Sequence, residues 1–430
     1  MNDLILNFAE KICCFDFDKL ENSTNYNNNI PWEKYTLSLG YPSLVLFYSQ
    51  LNKLFPSSKW RNISHKYIEK SLNYINEGIT TDISMFSGFT GLCYSIWVAS
   101  NEGKNYNVLL GELDKHFFKI LDIKLKSVLP KKNFNTIDYD PILGLSGILR
   151  YTLLRKENPK FLEYTIKIIN ILNTSINYVE LNGFFVPKFY IRPEDHFTEE
   201  DKISFPNGSF NIGMAHGVSS ILAVLSLAKI NGIEVSNTNE TIVSLSNWIL
   251  KNRMYDEYGT YWPGIIRIED EINSDNIFKS YQIKRQAWCY GTPGTSMALL
   301  LASKALSDSN ISTISINSFL NIFSRPESEW VCTSPTFCHG YAGILQIAKR
   351  FYQESNEIKL LKYIKSLENS ILTFYSIENQ FLFNNIEYNL QKAHIVKDVG
   401  LINGAIGVIL SLIDIEHQEM CFWDQPFLLS

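Results

Sequence analysis

Apolar positions along the chain fall into two kinds of segment that alternate. Residues 44–47, 92–97, 221–224, 297–302 and 408–410 are apolar almost all round, which is how a helix reads when it is buried on every side. Between them, residues 63–79, 108–125, 161–176, 241–253, 311–325 and 358–375 place apolar side chains at steps of three and four, with Lys, Glu or Asn opposite. That period predicts helices with one buried face.

A glycine turn precedes each fully apolar segment. Seven copies line up: Gly40-Tyr41-Pro42-Ser43, Gly88-Phe89-Thr90-Gly91, Gly144-Leu145-Ser146-Gly147, Gly217-Val218-Ser219-Ser220, Gly291-Thr292-Pro293-Gly294, Gly340-Tyr341-Ala342-Gly343 and Gly404-Ala405-Ile406-Gly407. Their spacing leaves room for two helices per repeat. Glycine suits such a turn because it accepts positive φ and lets backbones approach closely. Seven alternations of inner and outer helix predict an all-α fold, an α/α toroid with seven inner and about seven outer helices, spanning 1–430 as a single domain. An open helical solenoid is the alternative. The ring is preferred because it lets the sulfur- and imidazole-bearing turns converge.

Two inter-repeat spacings are longer than the rest. The stretch 182–191 is aromatic and β-branched, and 192–211 is polar and turn-rich, so a small strand-bearing insertion is expected at about 178–211. Residues 258–263 and 267–284 read similarly, and both stretches are expected to line one mouth of the ring. The asparagine-rich run 22–29 predicts a loop.

Composition narrows the partners. A net charge of −5 over 430 residues gives no broad cationic field for nucleic acid or anionic lipid. The first twenty residues scatter Asp3, Glu10, Asp16 and Asp18 among apolar positions, unlike a signal peptide, and no apolar run reaches the ~18 residues of a membrane span. A soluble cytoplasmic protein is expected. Seven cysteines (13, 14, 93, 289, 332, 338 and 421) are too scattered for a disulfide framework.

Three of the turns carry metal-ligand chemistry: Ala215-His216-Gly217, Trp288-Cys289-Tyr290-Gly291 and Cys338-His339-Gly340. A catalytic zinc takes three protein ligands and leaves a fourth position open, and Cys289, Cys338 and His339 make one such set. Cys332 competes as a fourth ligand, although its apolar neighbours read as those of an ordinary buried thiol. Without any CxxC, spacing leaves Cys289 and Cys338 open between ligands and core thiols. By the same standard His216 reads first as a core histidine bonded to a backbone carbonyl, and Asp140 as a helix N-cap.

Taken together, Gly213-Met214-Ala215-His216-Gly217, Trp288-Cys289-Tyr290-Gly291-Thr292-Pro293-Gly294 and Cys338-His339-Gly340-Tyr341-Ala342-Gly343 resemble the lanthionine synthetase C-like family, the free-standing cyclases of lanthipeptide biosynthesis. Asp140-Pro141-Ile142-Leu143-Gly144 and the last residues from Trp423 to Leu429 extend the likeness over nearly the whole chain. The resemblance implies an α/α toroid holding one Zn²⁺ by Cys289, Cys338 and His339, with Asp140, His216 and Arg285 as further functional residues. Ser43 and Ser220 stand where the family turn usually closes with glycine, and Gln286 departs in the spacer before Trp288.

The implied reaction adds a peptide cysteine thiol across dehydroalanine or dehydrobutyrine, giving lanthionine or methyllanthionine rings in a lantibiotic-type precursor. Zinc would supply the thiolate, His216 the α-proton with Asp140 orienting it, and Arg285 or the Tyr290 hydroxyl would stabilise the enolate. The implied partners are a dehydrated precursor peptide, a separate dehydratase and an export transporter, in association with a membrane-bound biosynthesis complex. A family relative that adds glutathione to dehydrated residues and a non-catalytic zinc-stabilised peptide scaffold are the alternatives. A protein prenyltransferase β-subunit shares the toroid but resembles an Asp, Cys, His ligand set at a different spacing.

Overall fold

The computed structural model describes residues 1–20, 31–76, 82–181, 183–272, 285–389 and 392–430. The expected loop at 22–29, and residues 273–284 of the polar run, lie outside them. Among the described residues every glycine turn leads into a helix: Tyr41–Leu54, Phe89–Ala99, Leu145–Leu154, Val218–Ile230, Thr292–Leu306, Tyr341–Ser355 and Ala405–Ser411. Each is buried over most of its length, as its all-round apolar sequence requires.

The reason for glycine at these N-caps is close approach rather than handedness. Gly144 has φ −107°, open to any residue, yet a Cβ there would lie 2.4–2.6 Å from backbone atoms of Tyr139 and Asp140. Among the helix-leading glycines Gly291 alone has positive φ, at +98°. Six residues before the glycine a side chain commonly closes the incoming turn: Asp82, Asn211 and Asp398 accept from the amides of Ser84, Gly213 and Gly400 at 2.8, 2.9 and 2.6 Å, and Ser334 accepts from Thr336 at 3.3 Å. These Asx and Ser/Thr turns replace the backbone bonds that the helix start cannot yet make. Where the second glycine is absent, the Ser43 and Ser220 hydroxyls donate to the Gly40 and Gly217 carbonyls at 2.7 Å, so both departures are accommodated within the turn.

The chain divides into two compact units. The first comprises Met1–Asp122 and Thr333–Gln425. Its fully buried helices pair with Ser58–Asn76 and Lys359–Leu372, which bury one face each. Helix Asn2–Cys13 was not among the sequence-predicted elements; it buries Ile5, Phe8, Ala9 and Ile12, and Tyr48 donates to the Ala9 carbonyl at 2.8 Å. A hairpin, Asn385–Asn389 with Lys392–Val396, also was not expected. Arg350 grips buried Asp424 with two bonds of 2.7 and 2.8 Å. Beside it Lys349 donates to the carbonyls of Ser411 and Ile413 at 2.7 and 2.6 Å, and burial pulls its ammonium down to about 8.

The second unit comprises Ile123–Cys332 and Pro426–Ser430. Its buried helices pack with Pro159–Asn173, Thr238–Lys251 and Ser309–Asn321. The first long spacing carries the hairpin Tyr178–Leu181 with Phe184–Pro187, and the second carries Met254–Asp256 with Gly259–Tyr261. The two stretches also meet each other: Ser209–Asn211 pairs antiparallel with Ile265–Arg267. The chain end docks on the same unit, where Trp288 donates its indole N–H to the Phe427 carbonyl at 3.0 Å and Arg150 reaches the Ser430 carbonyl at 2.9 Å.

Candidate functional site

Asp140 stands four residues before its helix-leading glycine rather than six, and its carboxylate does two things at once. Oδ1 accepts from the amides of Leu143 and Gly144 at 2.6 and 2.9 Å, holding the helix entrance. Oδ2 lies 2.7 Å from Nδ1 of His216. One oxygen of Asp140 therefore serves the helix entrance and the other the imidazole, although the N-cap itself is Gly144. The carboxylate is fully buried and the imidazole side chain 25% exposed, so the pair opens outward only at the histidine. An ionised carboxylate can only accept, which assigns the proton of the shared bond to Nδ1 and leaves Nε2 as the nitrogen able to exchange a proton with a ligand.

His216 is held from three sides. Its backbone carbonyl accepts from the Tyr139 hydroxyl at 3.3 Å. Burial, and after it the charge of Asp140, pushes that phenol well above its ordinary value, so it serves as a neutral donor. On the open side the ring of Phe197, carried by the loop after strand Phe184–Pro187, lies 5.0 Å from the imidazole centroid and is 56% exposed.

The His216 turn rests directly on the Cys289 turn. Ala215 donates its amide to the Cys289 carbonyl at 3.3 Å, and a Cβ on Gly213 would sit 2.4 Å from that carbonyl and 2.6 Å from the Tyr290 ring. The Tyr290 hydroxyl accepts from Asn211 Nδ2 at 3.2 Å, while Asn211 Oδ1 closes the turn at Gly213. Sequence reasoning missed Asn211; its signal was the recurrence of Asp, Asn or Ser six residues before a helix-leading glycine. Arg285 occupies that same place before Gly291, half-buried, with its carbonyl against the glycine. Among the described residues no hydrogen bond ties its guanidinium to the Asp140–His216 pair.

Cys338 and His339 sit together on the turn before Tyr341–Ser355, with the Cys338 amide fixed to the Ile402 carbonyl at 3.0 Å. His339 Nε2 lies 2.9 Å from Glu387 Oε1 on the hairpin strand Asn385–Asn389. Cys289 and Cys332 are buried and Cys338 half-exposed, and none is in a disulfide. Among the described residues no cluster of three or more His, Cys, Asp or Glu stands in a metal-holding arrangement. The donor types nonetheless suit zinc: Cys338 is a thiol outside any disulfide, and with Nε2 of His339 on a carboxylate, Nδ1 is the nitrogen donor that remains on that ring. No helix among the described residues is long and apolar enough to cross a membrane.

Residues 31–428 match the sequence profile of lanthionine synthetase C-like proteins. The chain is 27% identical over 416 residues to the nisin biosynthesis protein NisC of Lactococcus lactis subsp. lactis, covering 95% of this chain and 92% of that one. A solved structure of a nisin cyclase superposes with a TM-score of 0.79 at 24% identity, covering 100% of this chain and 96% of the other. That likeness gives the fold class, an α/α toroid, in agreement with the sequence expectation.

Proposed function

Because the chain belongs to the lanthionine synthetase C-like family, we propose that it is a zinc-dependent cyclase that closes thioether rings in a dehydrated precursor peptide. The observation that carries this reading is the buried Asp140 carboxylate on Nδ1 of His216, with Tyr290 and Cys289 on the adjoining turn.

Ring closure joins a peptide thiolate to the β-carbon of dehydroalanine or dehydrobutyrine. The π electrons move onto the carbonyl oxygen as an enolate, which must then take a proton at the α-carbon. His216 delivers that proton from Nε2, while Asp140 keeps the ring oriented and stabilises the imidazolium before transfer. The Tyr290 hydroxyl, held by Asn211, and the Arg285 guanidinium are the candidate donors to the enolate oxygen. Phe197 gives the planar, apolar dehydro side chain a face to lie against beside the imidazole.

Cys289, Cys338 and His339 are the residues that would hold the zinc. When bound, zinc lowers the pKa of a thiol from its ordinary ~8.5, which makes the nucleophile available near neutral pH. The substrate must already contain dehydrated serine or threonine, so a dehydratase acts before this protein and an exporter of the cyclised peptide after it, in the cytoplasm. The test is incubation of the purified protein with its dehydrated precursor, followed by thiol alkylation and mass spectrometry. Loss of alkylatable cysteines with no change in peptide mass supports cyclisation. Full alkylation, or addition of glutathione from the buffer, overturns it.

A further inference from the structure

The hairpin Asn385–Asn389 with Lys392–Val396 carries a single acidic side chain to one of the chemistry-bearing turns. Glu387 Oε1 lies 2.9 Å from His339 Nε2, with both side chains about three-quarters buried. Still reached by solvent, such a pair contributes little to stability. What it does fix is the tautomer: the carboxylate accepts, so Nε2 carries the hydrogen, and in a neutral imidazole the bare lone pair is then on Nδ1. Presenting Nε2 to a ligand instead would break this charge-assisted bond.

We propose that Glu387 is the positioning residue of His339, selecting Nδ1 as the nitrogen offered to the metal and holding the ring in the ligating orientation. Carboxylates behind histidine ligands commonly have this role, and removing one costs roughly 10- to 100-fold in metal affinity. The hairpin itself is anchored close to this point, because buried Asn385, two residues before Glu387, donates to the Asn403 carbonyl at 2.9 Å, beside the last glycine turn. The proposal rests on the reading of His339 as a zinc ligand, so the experiment tests the two separately.

Zinc affinity of the purified full-length protein is measured by competition with a chromophoric chelator for wild type, His339→Ala, Glu387→Gln and Glu387→Ala. The expected order is wild type tightest, then Glu387→Gln, whose amide oxygen still accepts from Nε2, then Glu387→Ala weaker than wild type by roughly 10- to 100-fold. The graded order distinguishes positioning from support of the hairpin, which the isosteric Gln would leave intact. In the cobalt-substituted protein the thiolate charge-transfer band should persist in Glu387→Ala while the ligand-field bands shift, because the histidine geometry changes and the thiolates do not. Wild-type affinity in both Glu387 variants, with metal lost from His339→Ala, overturns the positioning role and leaves the ligand reading standing. Full affinity in His339→Ala overturns both. Should Glu387→Ala fail to fold, Glu387→Leu, which fills the same space and cannot accept from Nε2, takes its place: unchanged affinity and spectrum there reject the proposal.

Discussion

His216 Nδ1 and Asp140 Oδ2 lie 2.7 Å apart although 76 positions separate the residues in sequence, and the other oxygen of the same carboxylate holds the entrance of Leu145–Leu154. One buried group thus couples the orientation of the His216 imidazole to the integrity of a helix start.

Cyclisation should depend on both members of this pair, unequally. His216→Ala is expected to slow ring closure by roughly 10²–10⁴-fold, the usual loss for a general acid, while binding of the dehydrated peptide and the metal content stay unchanged. Asp140→Asn keeps an acceptor for the turn amides and loses the charge facing Nδ1, so it should slow closure less than His216→Ala does. Closure rates and peptide affinity measured side by side check this; a wild-type rate in His216→Ala removes the imidazole from the reaction.

Metal content separates the cysteines. Wild type should carry one zinc per chain, Cys289→Ala and Cys338→Ala should lose it together with activity, and Cys332→Ser should keep both. Elemental analysis, with helical content checked by circular dichroism, reads the outcome. Zinc lost equally from Cys332→Ser would make the site four-coordinate and closed, in conflict with a catalytic role.

Two glycines should respond oppositely to alanine. At Gly144 the added Cβ meets backbone within 2.4–2.6 Å, so Gly144→Ala must displace Asp140 and should cost about 1–3 kcal/mol of stability as well as activity. Gly111, within helix Asn107–Val128, has nothing within 4 Å of a Cβ, and Gly111→Ala should gain about 0.5–1 kcal/mol. Urea unfolding of the two variants compares them directly.

The Lys349 ammonium gives a pH signature. Its value falls from 10.5 in the unfolded chain to about 8 in the fold, chiefly through burial. Between those values the unfolded state binds more protons, so the contribution of Lys349 to stability rises with pH across the window and is lost as pH falls through about 8. The difference in unfolding free energy between wild type and Lys349→Met should therefore grow from pH 8 to pH 10.5, by up to about 3 kcal/mol. A flat difference contradicts the burial of a shifted ammonium.

Phe197 should act on substrate rather than on the proton. Phe197→Ala is expected to raise KM for the dehydrated peptide about tenfold, with kcat changed less, since it removes an apolar contact made before and during the reaction alike. An unchanged KM would show that the exposed ring does not meet the peptide.

The sequence by itself determined the helices and the turns that start them. Helical periodicity is a property of neighbouring residues, so the all-apolar 297–302 and the one-faced 358–375 declare their burial without reference to anything distant. The glycine pattern was equally local, and so was the strand character of the insertion near Tyr178. Helix Asn2–Cys13 carried a readable face in Ile5, Phe8 and Ile12, but no glycine turn marked it. For the candidate site, sequence supplied Asp140, His216, Tyr290 and the Cys338-His339 turn as residue types of the right chemistry. Tertiary structure alone decided which of them meet. The Asp140–His216 bond exists because two helix entrances pack side by side, and the Asn211–Tyr290 bond because Ser209–Asn211 pairs with Ile265–Arg267 next to the Cys289 turn. Glu387 lies 48 positions beyond His339 on a short hairpin of ordinary composition, so only the folded chain could bring its carboxylate to that imidazole. Contacts of this range are fixed by the packing of whole elements, whose energy is spread over many side chains and leaves no mark on any single stretch of sequence.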